Sequence, residues 1–314
     1  MTLQVIVGSG PVGSATAMRL VEQGHHVRVL SRSGGGPAVD GVERIAADAT
    51  DTERLAALLR GAGALYNCAS PPYHRWAMDW PPLAASMLSA AERAGAVLVT
   101  MSNLYAYGPV DHPISERDPL AATGAKGRVR AAIWTQALAA HQAGRVRVTE
   151  ARACDYFGPG ARQQSHLGQR SIPRLLRGRP IRVFGDPDAP HSWTYLPDIA
   201  AALATLGTDE RAWGYAWHVP TNPPMSQREV FDALARLAGV PAPSVRALPA
   251  WQLWAARAFV PFVREMEEIR YQFARPFVID SSAYQARFGT RPTPMQDALA
   301  DTLGWWTGQG HAAA

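Results

Sequence analysis

Residues 5–20 read VIVGSGPVGSATAMRL, and this stretch constrains the fold more than any other. An apolar strand run ends in Gly8-x-Gly10-x-x-Gly13, and a helical pattern opens at once with Pro11 and Val12 inside the loop. At such a junction each glycine has its own physical task. The first permits a tight turn, the second lets backbone approach a pyrophosphate, and the third lets helix and strand pack closely. The helix N-terminus then faces the phosphates. The alternative is a glycine-rich turn with no ligand.

The pattern that starts there repeats. Strand runs at 3–8, 26–32, 63–70, 97–102 and 145–153 alternate with helical stretches at 11–24, 50–61, 82–95 and 125–143. This alternation predicts an α/β chain built on a Rossmann-type doubly wound parallel sheet. Beyond about residue 157 Gly, Pro and Trp become frequent and long loops separate short helices. The expected organisation is a dinucleotide-binding domain over 1–160, with 191–206 returning to it, and a smaller C-terminal substrate-binding region over 161–314.

The end of the second strand bears on which dinucleotide is held. An NAD site usually places Asp or Glu there, on the ribose 2′-hydroxyl. Here the residues are Ser31, Arg32 and Ser33. A guanidinium can pair bidentately with a 2′-phosphate, so NADP(H) is expected over NAD(H). If Arg32 merely covers the adenine face, NAD remains open.

Composition excludes several other classes. The formal charge is +5, but the arginines are scattered, and the densest run, RSIPRLLRGRPIR at 170–182, mixes them with apolar residues at helical spacing. That is a solvated face, and no nucleic-acid partner is expected. Cys68 and Cys154 sit in apolar, strand-like contexts without clustered histidines. Neither a disulfide framework nor a metal site is expected. The apolar runs are too short to span a bilayer and no charged leader precedes the first strand, so a cytoplasmic protein without a membrane partner is expected.

One basic residue stands apart. Lys126 is the only lysine; the other 30 cations among the 31 Lys and Arg are arginines. A flexible ammonium reaches two ribose hydroxyls where a planar guanidinium fits poorly, which makes Lys126 a cofactor-binding candidate.

The segments MSNLYAYGP (101–109) and RACDYFGPG (152–160) resemble the extended short-chain dehydrogenase/reductase family of NAD(P)-dependent epimerases, dehydratases and reductases. ADATD (47–51), NCAS (67–70), HSWTYLPDIAAAL (191–203) and FGTRPTPMQDALADTLGWW (288–306) follow in the family's order. The resemblance implies that Asp48 contacts the adenine ring and that Cys68, Ala69 and Ser70 run beside the cofactor. It also implies pairing of two copies through helices at 83–95 and 125–143, hence a homodimer.

The departures from the family concern catalysis. Val7 stands where the family's first glycine usually does, as in its atypical members. The family's proton donor is the Tyr of Tyr-x-x-x-Lys, whose pKa the Lys lowers from about 10. Lys126 falls in the right region, but Ala122 stands four residues before it, and the neighbouring Thr123 hydroxyl titrates too high to replace a phenol. The family's Ser position is Asn103, with Ser102 beside it. Three readings stay open. Tyr105, Tyr107 or Tyr156 serves as a displaced acid; or water or a substrate group gives the proton while Lys126 orients the cofactor; or the protein binds NADP(H) without hydride transfer, as a redox-responsive regulator. A non-redox cyclase or lyase on the same fold is a further alternative.

Substrate-side departures point away from nucleotide sugars. Asp155 replaces the Asn that meets a diphosphate in the family, and His191 replaces an Arg. Asp155 paired to a nearby Arg would leave that argument without force. The loop SPPYHRWAMDW (70–80) brings Tyr73, His74 and Trp76 towards the expected substrate mouth, and Trp193, Trp213, Trp217, Trp251, Trp254 and Phe273 add aromatic surface. The expected partner is a small, apolar or aromatic, non-nucleotide substrate. The expected activity is that of an NADP(H)-dependent oxidoreductase or epimerase-like enzyme.

Overall fold

A computed structural model describes residues 2–249 and 265–309, so Trp251 and Trp254 lie outside the described residues. The chain divides into two compact units. The first comprises Met1–Gly108, Pro119–Ala153 and Pro197–Val219; the second comprises Pro109–Asp118, Cys154–Leu196 and Pro220–Ala314. Residues 109–118 and 154–160 thus lie in the second unit, and the returning segment is Pro197–Val219.

The first unit is a seven-stranded sheet. Its strands are β1 (Leu3–Val7), β2 (His26–Ser31), β3 (Val42–Ala46), β4 (Ala62–Asn67), β5 (Val97–Ser102), β6 (Val148–Arg152) and β10 (Ala216–His218). They lie in the order β10-β6-β5-β4-β1-β2-β3 and every neighbouring pair is parallel. This is the doubly wound order, whose reversal point falls beside β1. Two strands escape a reading of apolar runs. β3 is an edge strand with exposed Glu43 and Arg44, and β10 has three residues. Glu43 accepts from Arg28 Nε of β2 at 2.7 Å, but that pair is largely exposed, and backbone pairing with β2 is what places β3.

The helices begin where local chemistry starts them. α1 (Pro11–Glu22) has Pro at its first position, where the missing N–H costs nothing. α2 (Thr52–Leu58) is capped by Asp51, which accepts from the Arg54 N–H. α3 (Trp76–Ala94) begins six residues before the expected start at 82, although Pro81 and Pro82 remove the N–H groups that would reach the Ala77 and Met78 carbonyls. Burial offsets that loss, because Trp76, Trp80 and Met87 bury against the sheet residues Leu65 and Leu98, each such side chain contributing about 1.5–3 kcal/mol. α4 (Ala125–Gln142) adds Ile133 and Trp134 to the same core.

In the second unit, β7 (Asp155–Phe157) pairs with β9 (Trp193–Tyr195), and β8 (Ile181–Val183) with β11 (Val245–Ala247). Phe157, Leu167, Trp193, Phe231 and Leu299 form its core. Among the described residues, no helix is long and apolar enough to cross a membrane.

Candidate functional site

The glycine loop tests its own expected duties. Gly8 has φ +108°, and a Cβ on it would lie 2.6 Å from the Cys68 carbonyl oxygen. A Cβ on Gly13 would run into the Gly8 carbonyl oxygen. These two glycines are demanded by packing of the β1 turn against the end of β4. Gly10 differs: a Cβ there meets nothing within 4 Å. It is the N-cap of α1, with no side-chain cap and no acid in the first turn. The first N–H groups of α1 and its positive dipole end are therefore available to an anion, and the open space beside Gly10 fits a pyrophosphate. Pro11 and Val12 form the first turn of α1. The flanking Cys68 N–H donates to the Val7 carbonyl at 2.9 Å, and the Ala69 N–H to Asn67 Oδ1 at 3.3 Å. Burial pushes the Cys68 thiol up to about 12, so it is a neutral packing group, while Ser70 is exposed.

At the end of β2 three hydroxyls converge. A Cβ on Gly35 would lie 3.4, 3.5 and 3.9 Å from the Oγ atoms of Ser33, Ser9 and Ser31. Arg32 is exposed there. Asp48 Oδ1 accepts from the Thr50 N–H at 2.9 Å and the Thr50 hydroxyl at 2.8 Å. These bonds, with a smaller contribution from the Arg32 charge, hold its carboxyl below the usual range.

The same unit gathers Lys126, Tyr73, Tyr105 and Trp76. Lys126, second residue of α4, is 3% exposed, with Nζ 5.8 Å from the centre of the Tyr73 ring. The hydroxyls of Tyr73 and Tyr105 are 2.8 Å apart. Trp76 stacks on both rings, at centroid distances of 5.0 Å to Tyr73 and 5.8 Å to Tyr105. One turn after Lys126, the Arg130 guanidinium lies 4.7 Å from the Trp76 ring centre and 4.3 Å from that of Trp80. Burial pulls Arg130 down to about 10 against the opposing charge of Glu150. Gly127 allows this assembly to close, since a Cβ on it would meet Ala122 and, at 2.5 Å, the Tyr105 carbonyl oxygen. His74 is exposed in the same loop, and Arg75 forks onto Asp79 at 2.7 and 2.8 Å.

The other expected catalytic groups have different surroundings. Asn103 Oδ1 accepts from the Tyr105 N–H at 3.2 Å, and Ser102 is buried at the end of β5. Tyr107 is buried in a charged network: its hydroxyl accepts from Arg152 Nη1 at 2.6 Å and lies 2.8 Å from His218 Nε2. Arg152 Nε in turn donates to Glu150 Oε1 at 2.7 Å. Burial pushes the Glu150 carboxyl up, with Arg152 and then Arg130 opposing. Tyr107 thus joins β6, β10 and the turn after β5. Tyr156 belongs to the second unit, where its hydroxyl donates to Gln164 Oε1 at 2.9 Å.

In the second unit Asp155 faces histidines rather than the arginine considered from sequence. Its Oδ2 is 2.7 Å from His191 Nε2, and its Oδ1 is 3.8 Å from His166 Nε2. The His191 hydrogen bond and the two nearby imidazoles hold the carboxyl below its usual range against burial, which acts the other way and is the largest single influence. Trp193 is buried and its indole N–H donates to the Met225 carbonyl at 2.8 Å. Trp213 and Trp217 fall in the first unit, with their N–H groups donated to the Leu206 and Ala212 carbonyls at 3.2 and 2.9 Å. Sequence reasoning passed over Arg130, Arg152, His166 and His218; only Arg130 had a signal, four residues beyond Lys126 on one helix face.

Comparison with known proteins bears on the fold. The chain's fold matches a UDP-glucuronic acid 4-epimerase from Bacillus cereus in complex with NAD, with a TM-score of 0.79, 17% identity and 99% of each chain covered. It also matches a dTDP-glucose 4,6-dehydratase from Bacillus anthracis in complex with NAD, at TM-score 0.81 and 15% identity over 99% of this chain and 98% of that one. A third match is a dTDP-glucose 4,6-dehydratase double mutant from Streptomyces venezuelae with NAD bound, at TM-score 0.79 and 22% identity over 99% and 98%. At these identities the likeness is one of fold. No curated protein matches the chain. The family model for NAD dependent epimerases/dehydratases matches residues 5–214, two thirds of the chain. The chain belongs to the NAD-dependent epimerase/dehydratase family.

Proposed function

We propose that this chain is an NADP(H)-dependent oxidoreductase or epimerase-like enzyme for a small, apolar or aromatic, non-nucleotide substrate. On this reading the first unit binds the dinucleotide and the second contributes substrate-binding surface. The hydrogen-bonded phenols Tyr73 and Tyr105 replace the missing family tyrosine. The observation that carries the reading is their 2.8 Å hydroxyl contact beside the buried, and only, lysine, in the unit that holds the glycine loop.

Bound nicotinamide supplies a hydride acceptor or donor; the protein supplies the proton. Tyr105 holds that proton at its hydroxyl, Tyr73 bridges it at 2.8 Å, and the Lys126 ammonium, 5.8 Å from the Tyr73 ring centre, stands where it can steady the charge left on the phenols. Trp76 excludes water from one side of both rings. The preference for NADP(H) rests on Arg32 and on the hydroxyls of Ser9, Ser31 and Ser33, with no carboxylate at the end of β2. The named structural neighbours hold NAD, so the cofactor is the first thing to measure. The reading of a non-nucleotide substrate is supported by Asp155 and His191 standing where the family has Asn and Arg: their 2.7 Å contact leaves neither that amide nor that guanidinium for a diphosphate.

Fluorescence titration with NADPH and NADH tests the cofactor; tighter binding of NADH would overturn the Arg32 argument. NADPH oxidation against a panel of aromatic ketones and aldehydes tests turnover. The second reading, a dinucleotide-binding protein without hydride transfer, is favoured by Ala122 in the tyrosine's place. Tight NADPH binding with no oxidation across the panel would establish it.

A further inference from the structure

We propose that Cys154, Asp155 and His191 form a three-ligand binding site for a divalent transition metal, and that zinc is the ion that fits. All three residues belong to the second unit. The Sγ of Cys154, a carboxylate oxygen of Asp155 and a ring nitrogen of His191 lie within 4.8 Å of one another. His166 Nε2 approaches the same carboxylate at 3.8 Å.

The orientation of His191 supports the assignment. Its Nδ1 is 3.1 Å from the Gln272 carbonyl oxygen, which can only accept, so Nδ1 carries a proton. This arrangement fixes the tautomer and aims the Nε2 lone pair at the cluster, as an outer-shell carbonyl does for a metal-bound histidine. Nε2 then faces Asp155 Oδ2 at 2.7 Å and Cys154 Sγ at 3.6 Å. Two lone-pair atoms at 2.7 Å need a cation between them, either a proton or a metal. The sulfur argues for the metal. A tetrahedral zinc with Zn–S about 2.3 Å and Zn–N about 2.05 Å separates its sulfur and nitrogen ligands by about 3.5 Å, close to what this pair already has. The nitrogen and oxygen must open to about 3.3 Å, a small rotation of the half-buried Asp155 side chain.

The surroundings suit an enclosed ion. Phe273 packs on His191 at 5.0 Å and on His166 at 4.5 Å, and Trp193 and Phe277 lie 4.7 and 5.8 Å from His191. One sulfur, one imidazole and one carboxylate, with a position left for water, form a set that zinc accepts and that magnesium or calcium, which take oxygen ligands, do not. Charge is conserved on binding. The ion brings +2, the Cys154 thiol loses its proton, and the proton shared by His191 and Asp155 also leaves. The buried cluster is neutral before and after, and two protons are released per ion.

The test uses the untagged full-length protein, stripped with chelator and titrated with Co²⁺ and then Zn²⁺. One equivalent of Co²⁺ is expected, with visible d–d bands and the near-ultraviolet charge-transfer band of a thiolate ligand. Zn²⁺ should displace it, and a pH indicator in weak buffer should report two protons per ion. Cys154→Ser should abolish the charge-transfer band and weaken binding by at least about 100-fold, the upper end of what loss of even an outer-shell partner costs. Wild-type protein that takes up no Co²⁺ or Zn²⁺, or a cobalt complex without the charge-transfer band, overturns the proposal without reference to any variant. NADPH titration on the same samples reports on the first unit separately, so failure here is distinguishable from failure of the cofactor reading.

Discussion

Three tyrosines that look alike in the sequence have three different chemical situations in the fold. Tyr105 shares its hydroxyl proton with Tyr73, Tyr107 is locked between a guanidinium and an imidazole, and Tyr156 bonds an exposed glutamine. Tyr105→Phe should therefore lower NADPH oxidation by about 10²–10⁴-fold, the usual worth of a general acid, with NADPH affinity unchanged in fluorescence titration. Tyr107→Phe should do the reverse. It leaves Arg152 and His218 short of a buried partner, costs about 1–3 kcal/mol in denaturant unfolding, and spares turnover per folded molecule. Equal turnover loss in both variants would mean that the phenol pair is not the acid. Lys126→Arg should weaken NADP(H) binding; unchanged affinity would show that the lysine does not hold the ribose.

At the scale of elements, the glycine loop separates structure from binding. Gly13→Ala places a Cβ against the Gly8 carbonyl and should lower the melting temperature sharply. Gly10→Ala meets no neighbour, and its φ of −71° suits alanine, so stability should hold while dinucleotide affinity falls. A loss of stability in Gly10→Ala, or retained affinity, would contradict the placement of pyrophosphate there. In the second unit Ser226 and Glu229 form a reciprocal capping box on the helix Gln227–Ala238. Ser226→Ala should cost about 1 kcal/mol with no effect on cofactor binding. Elements with strong local signals were legible in the sequence, and those held by distant contacts were not. β3 forms because its backbone completes the β2 edge, despite Glu43 and Arg44; the start of α3 survives Pro81 and Pro82 because Trp76 and Trp80 are buried.

Over the whole molecule, stability depends on charges that the composition alone leaves unassigned. Arg152 is 2% exposed and joins Glu150 to Tyr107. Arg152→Met would leave Glu150 buried without its main partner and should destabilise the chain by about 3–5 kcal/mol. Acid sensitivity has an identifiable contributor. The Ser115 N–H, and after it His112, hold the Asp118 carboxyl below the usual range. A depressed carboxyl contributes stability that is fully present above its unfolded value of about 3.9 and is lost as pH falls through the folded value. The melting-temperature gap between wild type and Asp118→Asn should therefore close as the pH drops from about 5 to about 2. A gap that persists at the lowest pH would remove Asp118 from the account.

The sequence by itself determined the α/β alternation, the dinucleotide loop and the isolation of Lys126. Each is written in neighbouring residues, in hydrophobic period, glycine spacing and the identity of one cation. Only the tertiary structure decided which side chains meet. Tyr73 reaches Tyr105 across 32 residues, Tyr107 reaches His218 across 111, and Cys154 reaches His191 across 37. Those meetings depend on sheet order and on the return of Pro197–Val219 to the first unit, and no local pattern encodes either. Two cysteines without clustered histidines excluded a metal in the linear chain. The fold brings His191 and the Asp155 carboxylate to one of those cysteines, because proximity in a folded protein is set by packing and not by spacing.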